Sequence, residues 1–141
     1  MSKKDRDYLF YLEDMLDSME RIMEYTDGLT FDEFQESNLI TDAVIRNLEI
    51  IGEASKNVPE KIWKKYPAIP WKEMYGLRNF VVHEYFGIDF ENIWKIIKDE
   101  LPKNIQDLRK IVTKESQESW ELTSSLSILQ YKLPAHWPYS W

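Results

Sequence analysis

Arg78, Asn79, His83 and Tyr85 stand close together in "LRNFVVHEYFGID", Leu77 to Asp89. Each carries a different chemistry. A guanidinium holds a phosphate through a planar fork of donors. An imidazole titrates near neutrality and serves as base or acid. A phenol offers a modifiable hydroxyl. On an ideal helix, at ~100° per residue, Arg78 and Tyr85 lie almost in line. Asn79 and His83 form an i, i+4 pair whose side chains can touch. Arg78 and His83 are separated by roughly 140° around the axis. Either the long arginine reaches round, or a second copy of the helix supplies the missing partner. A two-fold axis beside the helix would gather two arginines and two histidines in one cleft. His83 is expected near the C-terminal end of its helix, where the dipole favours imidazolium. Together these groups suit RNA cleavage without metal: the 2′-hydroxyl attacks its own phosphate, His83 moves the proton, and Arg78 stabilises the charge on phosphorus oxygens.

Each residue also has a plain structural reading. Asn79 can be an ordinary hydrogen-bonding residue, and Tyr85 a packed aromatic whose hydroxyl finds a partner. Asp89 reads as a helix cap rather than a catalytic carboxylate.

The elements around the segment read as nearly all helix, because few glycines leave room for hairpins and no long stretch alternates with period two. A first helix is predicted from about Lys4 to Tyr25, with an apolar stripe through Tyr8, Leu12, Met15, Met19, Ile22 and Met23. Gly28 suits its left-handed cap. Thr30 and Glu33 spell a capping box for a short helix. The next helix spans about Ser37 to Lys56, with Leu39, Ile40, Ala43, Val44, Leu48, Ile51 and Ala54 expected on its buried side. Pro59 opens a short helix that Pro67 closes. Pro70 suits the first turn of the helix carrying Arg78 and His83, which is expected to end near Tyr85, before Gly87. Asp89 caps a last helix through about Lys114, with a kink or break at Pro102. Residues 1–114 read as the helical domain and 115–141, Ser-rich and then Trp- and Pro-rich, as an extension of unknown role. Its tryptophans are costly to leave in water, so docking on the body or a partner is expected.

A 141-residue chain suits a single domain with a real core. The net charge of −7 argues against a broad electrostatic grip on nucleic acid, so any positive charge used on RNA is local, and no DNA partner is expected. With no cysteine and two histidines, a metal site is not expected. The N-terminal "MSKKDRDYLF" lacks a secretory core, and no apolar run reaches the ~20 residues of a membrane span. These features suit a cytoplasmic protein without membrane contact.

"IGEASK" (Ile51 to Lys56), "YPAIPWKEMYGLRNFVVHEYFGID" (Tyr66 to Asp89) and "IWKIIKDELP" (Ile93 to Pro102) together resemble the HepT-like family of HEPN-domain toxins. The resemblance covers about Asp5 to Lys114. Its core motif of Arg, four residues, His, one residue and Tyr fits Arg78, His83 and Tyr85, with Asn79 at the commonly polar position. It implies an all-α, four- to five-helix up-and-down bundle that dimerises around its active cleft. It also implies a ribonuclease toxin needing no cofactor, with Arg78 and His83 catalytic and Asn79 supporting. The implied partner is an MNT-type nucleotidyltransferase antitoxin that transfers AMP to Tyr85. AMP there would place a bulky anion near Arg78 and obstruct RNA.

Two features depart from the pattern. Glu84 follows His83 where relatives often carry a small residue, and the tail past Lys114 lies outside the family pattern. Both leave a second reading open: a non-catalytic helical dimer that partners a nucleotidyltransferase and binds nucleotide or RNA. Glu53 of "GEA" also has two readings. It orients an arginine in the cleft, or it is a surface carboxylate beside a Gly52 selected for close helix packing; packing is the reading preferred for the motif.

Overall fold

A computed structural model describes residues 3–83, 87 and 89–130, with side chains described over 8–78, 87 and 89–122. The fold is all-α: α1 (Lys3–Thr26), α2 (Phe31–Glu36), α3 (Asn38–Lys56), α4 (Glu60–Lys65), α5 (Trp71–His83), α6 (Phe90–Lys95) and α7 (Leu101–Gln130), with a wide π turn over Ile96–Glu100 joining the last two. Among the described residues no helix is long and apolar enough to cross a membrane.

Local chemistry sets most boundaries. Gly28 takes φ 74° after α1, a conformation that costs a side-chain-bearing residue about 1–2 kcal/mol. Thr30 and Glu33 close both halves of a capping box on α2. The Ser37 hydroxyl accepts from Ile40 N–H to start α3, and the Asp89 carboxylate accepts from Asn92 N–H to start α6. Pro102 has no N–H, and its ring crowds the carbonyl four residues earlier. The chain answers with the wide turn just before it, where Leu101 N–H reaches back to Ile96 O. The expected disturbance at Pro102 is therefore a π turn, and the helical path continues.

The apolar stripe of α1 (Leu12, Met15, Met19, Ile22) is wholly buried against Val44, Leu48 and Ile51 of α3 and Leu101 and Leu108 of α7. Burying each such side chain contributes on the order of 1.5–3 kcal/mol. Phe34 anchors α2 in this core, 5.1 Å from the Trp94 ring and edge-on to Phe90 at 6.1 Å. α5 leans on α3 through Met74 and Leu77.

Two expectations need correcting. Leu39 is 82% exposed instead of buried. It stands nine residues before Leu48, which is about 180° around a helix, so it faces away from the stripe despite its apolar side chain. The last helix does not end near Lys114 but runs to Gln130. Neither Gly nor Pro occurs between Lys103 and Lys132, so no breaker stops it. The Ser-rich composition lowered the helical signal without supplying a stop.

The junction at Glu115 is strongly built. Its carboxylate is 2% exposed, yet it accepts from Tyr8 of α1 at 2.6 Å, from the Tyr66 hydroxyl just past α4, and from Lys65 Nζ at 2.8 Å. Lys65 also holds Glu118 at 3.1 Å. Burial pushes the Glu115 carboxyl up, but its donors from Lys65, Tyr66 and Tyr8 outweigh that and hold it below the usual range.

Candidate functional site

Two anchors fix α5 before it reaches Arg78. The Trp71 indole donates to Tyr66 O at 2.9 Å. Its ring stacks on Trp63 of α4, with centroids 6.0 Å apart and planes 5° from parallel. The helix is thus held at its first residue, and Leu77 is buried beside Arg78.

At Arg78 itself, α3 comes unusually near. A Cβ added to Gly52 would stand 2.7 Å from Arg78 N and 2.9 Å from Arg78 Cβ, distances real side chains do not tolerate. Only glycine allows this approach. The next residue, Glu53, then reaches the guanidinium: Glu53 Oε1 lies 2.6 Å from Arg78 Nε. Both side chains are partly exposed, at 45% and 41%. The two readings of "GEA" therefore both hold. Gly52 is there for packing, and Glu53 meets an arginine, the role the sequence reading ranked second.

Glu53 also lines a groove of about 200 Å³ between α1 and α3, together with Asp14, Arg46 and Glu49. Arg46 there is 3.5 Å from Glu49. Three carboxylates against one guanidinium make that groove unsuited to phosphate. An anion approaching Arg78 does better from the α5 side.

α5 carries Asn79 and His83 on its backbone, with His83 the last of its described residues. Five residues place His83 about 7.5 Å further along the axis than Arg78, and roughly 140° around it. The side chains of Asn79 and His83, and the whole of Tyr85 and Glu84, lie outside the described residues. What the structure brings together is Arg78 with Glu53 and Gly52. Sequence reasoning missed the cluster of Tyr8, Lys65, Tyr66, Glu115 and Glu118, whose hydrogen bonds join residues up to 107 apart and share no local pattern.

A family model described as "Ribonuclease HepT-like" matches residues 15–115, which takes in all of α2 to α6 and the anchored part of α7. "Putative RNase MJ0127" of Methanocaldococcus jannaschii is 45% identical over 79% of this chain and 91% of its own length. "Putative RNase MJ1380" of the same organism is 48% identical over 73% of this chain and 93% of its own length. "Probable ribonuclease HepT" of Thermococcus cleftensis is 42% identical over 74% of this chain and 98% of its own length. No solved structure matches the chain.

Proposed function

The chain belongs to the HepT-like ribonuclease family, and we propose that it is an endoribonuclease that cuts RNA by 2′-hydroxyl attack. The observation that carries this reading is Arg78, held half-exposed on α5 by Glu53 within the span the family model matches. In the proposed reaction the 2′-oxygen forms a bond to the adjacent phosphorus and the bond to the 5′-oxygen breaks. His83 takes the 2′-hydroxyl proton, and an imidazolium returns a proton to the leaving 5′-oxygen. Arg78 neutralises charge on the phosphorus oxygens not in line. Asn79, one turn before His83, supports the imidazole. The products are a 2′,3′-cyclic phosphate and a 5′-hydroxyl, and no metal takes part.

Taking the 2′ proton and protonating the departing 5′-oxygen in one in-line step calls for an imidazole on each side of phosphorus, and the angle between Arg78 and His83 separates them on one helix. A dimer with α5 helices beside a two-fold axis meets both needs. The same reading makes the protein a toxin restrained by a nucleotidyltransferase antitoxin. That partner would join Tyr85 Oη to the α-phosphorus of ATP and release pyrophosphate.

The deciding experiment incubates wild type and His83→Ala with total cellular RNA in EDTA and maps the fragment ends. Cleavage by the wild type alone, leaving cyclic phosphate, supports the nuclease. No cleavage by a dimer whose Tyr85 is free of AMP by intact mass favours the second reading, a helical binding module. The net charge of −7 is the observation on that side.

A further inference from the structure

We propose that Glu53 is a positioning residue: it holds Arg78 by Nε so that the two terminal NH2 groups of the guanidinium form the phosphate-binding fork. The inference deepens the nuclease reading and rests on it for the identity of the anion. Among the described residues, Glu53 is the ion-pair partner of Arg78, and its Oε1 stands 2.6 Å from Nε. A guanidinium gripped side-on at Nε keeps its bidentate edge for a second anion.

Stability does not account for this pair. Ion pairs with both partners this exposed contribute roughly 0–1 kcal/mol. Meanwhile a carboxylate beside a phosphate site costs affinity by repulsion. Gly52 adds the second part of the device. Without a Cβ it brings α3 against the Arg78 backbone, and that approach sets Glu53 within 2.6 Å of Nε. Backbone and side chain of one arginine are thus gripped by two consecutive residues of a neighbouring helix. That arrangement removes the rotamer freedom an arginine would otherwise surrender on binding its ligand.

An opposite role is conceivable for the same contact: Glu53 would be a lock that occupies Arg78 until substrate displaces it. The two differ in sign. A positioning residue, once removed, slows cleavage; a lock, once removed, speeds it.

The test uses the full-length protein and a short single-stranded RNA oligonucleotide, with Glu53→Ala, Glu53→Gln and Glu53→Asp. For a positioning role, Glu53→Ala lowers kcat ten- to a hundred-fold, the range a misplaced guanidinium commands. KM changes less than about threefold, because phosphate still finds the positive charge. Glu53→Gln, which keeps an acceptor oxygen, recovers part of kcat. Unchanged or increased kcat in Glu53→Ala overturns the proposal. A second readout is independent of cleavage. The Arg78 Nε–H resonance, assigned through its loss in Arg78→Lys, is followed with titrated inorganic phosphate. Wild type is expected to respond at the terminal nitrogens while Nε–H stays in place, and Glu53→Ala to respond at Nε as well. If the wild type cuts no RNA, the nuclease reading falls, and this resonance alone decides. Identical phosphate responses in wild type and Glu53→Ala overturn the positioning role.

Discussion

The carboxylate of Glu115 on α7 joins the hydroxyl of Tyr8 on α1 at 2.6 Å, 107 residues away in the chain and almost out of contact with solvent. Tyr66 and Lys65 complete its set of donors. A buried carboxylate is tolerable only with its partners in place. Replacing it strands two phenols and loosens the contact of α1, α4 and α7. Glu115→Ala is expected to cost about 2 kcal/mol and Tyr8→Phe about 1 kcal/mol. Urea denaturation followed by circular dichroism measures both. Cleavage per folded molecule stays unchanged, because the cluster is distinct from the Arg78 contact.

The same cluster makes stability depend on pH at both ends. Burial, then the bond to Glu115 and its charge, hold the Tyr66 phenol up to about 12, and Tyr8 is raised further for the same reasons. A phenol in the unfolded chain titrates near ~10. The unfolded state therefore loses its proton first, and stability present below pH ~10 drains away as pH rises through 12. Glu115 has the opposite sign. Its folded value lies below the ordinary one, so its contribution is present above the usual carboxylate range and lost as pH falls through the lowered value. Denaturation midpoints are expected to be level near neutrality and to fall on both flanks. Tyr66→Phe should shrink the alkaline fall, and an unaltered alkaline limb would refute this assignment.

Gly52→Ala sets a methyl where Arg78 N and Cβ already stand. α5 must move off α3 by several tenths of an ångström. A loss of about 1–3 kcal/mol is expected from overpacking. The variant should also lose cleavage beyond its loss of stability, because Glu53 no longer meets Nε. Normal kcat in a folded Gly52→Ala would break the link between that packing and the site.

His83→Ala is expected to abolish cleavage while changing the stability measured by urea denaturation by no more than about 0.5 kcal/mol. The shared cleft adds a sharper outcome. When wild type and excess His83→Ala are unfolded together and refolded as a mixture, activity should fall as the square of the wild-type fraction, because a mixed dimer holds one imidazole where base and acid need two. Light scattering should give twice the chain mass. Activity that falls only in proportion to the wild-type fraction would confine the site to one chain.

Tyr85 should gain AMP when the protein is incubated with ATP, magnesium and the proposed nucleotidyltransferase partner. Intact mass and peptide mapping check this, and Tyr85→Phe should abolish the adduct. An adduct on another residue would dissociate neutralisation from Tyr85.

Local signals in the sequence translated directly into structure. Thr30 with Glu33, Gly28, Asp89 and Pro102 each act on neighbours within a few residues, so their types suffice to predict their roles. Arg78 was recognisable by type and spacing. Its fixing contact was not settled, because Glu53 meets it across two helices whose separation depends on one absent Cβ. The Glu115 cluster was invisible for the same reason, since tertiary packing alone assembles it from α1, α4 and α7. Leu39 is apolar yet stands at the wrong angle for the buried stripe, and angle decides its burial. α7 continues past Lys114 because weak helix formers without Gly or Pro do not stop a helix.

The wide turn at Ile96–Glu100 acts as a phase adjuster for everything after it. Ile93, Ile97 and Leu101 follow one another at four-residue steps, and all three are buried. In an unbroken α-helix each such step drifts about 40° forward, so two in succession would carry Leu101 about 80° away from the line of Ile93. The extra residue housed in the turn absorbs that drift. Deleting one residue there would convert the turn to ordinary helix and leave the phase of α7 nearly as it is, because the turn already houses the residue removed. The same deletion in the regular helix between Lys103 and Glu115 has no such reserve and would rotate all that follows by about 100°. Glu115 would then swing away from Tyr8, Tyr66 and Lys65 together, whereas a substitution that keeps the length would leave the cluster whole.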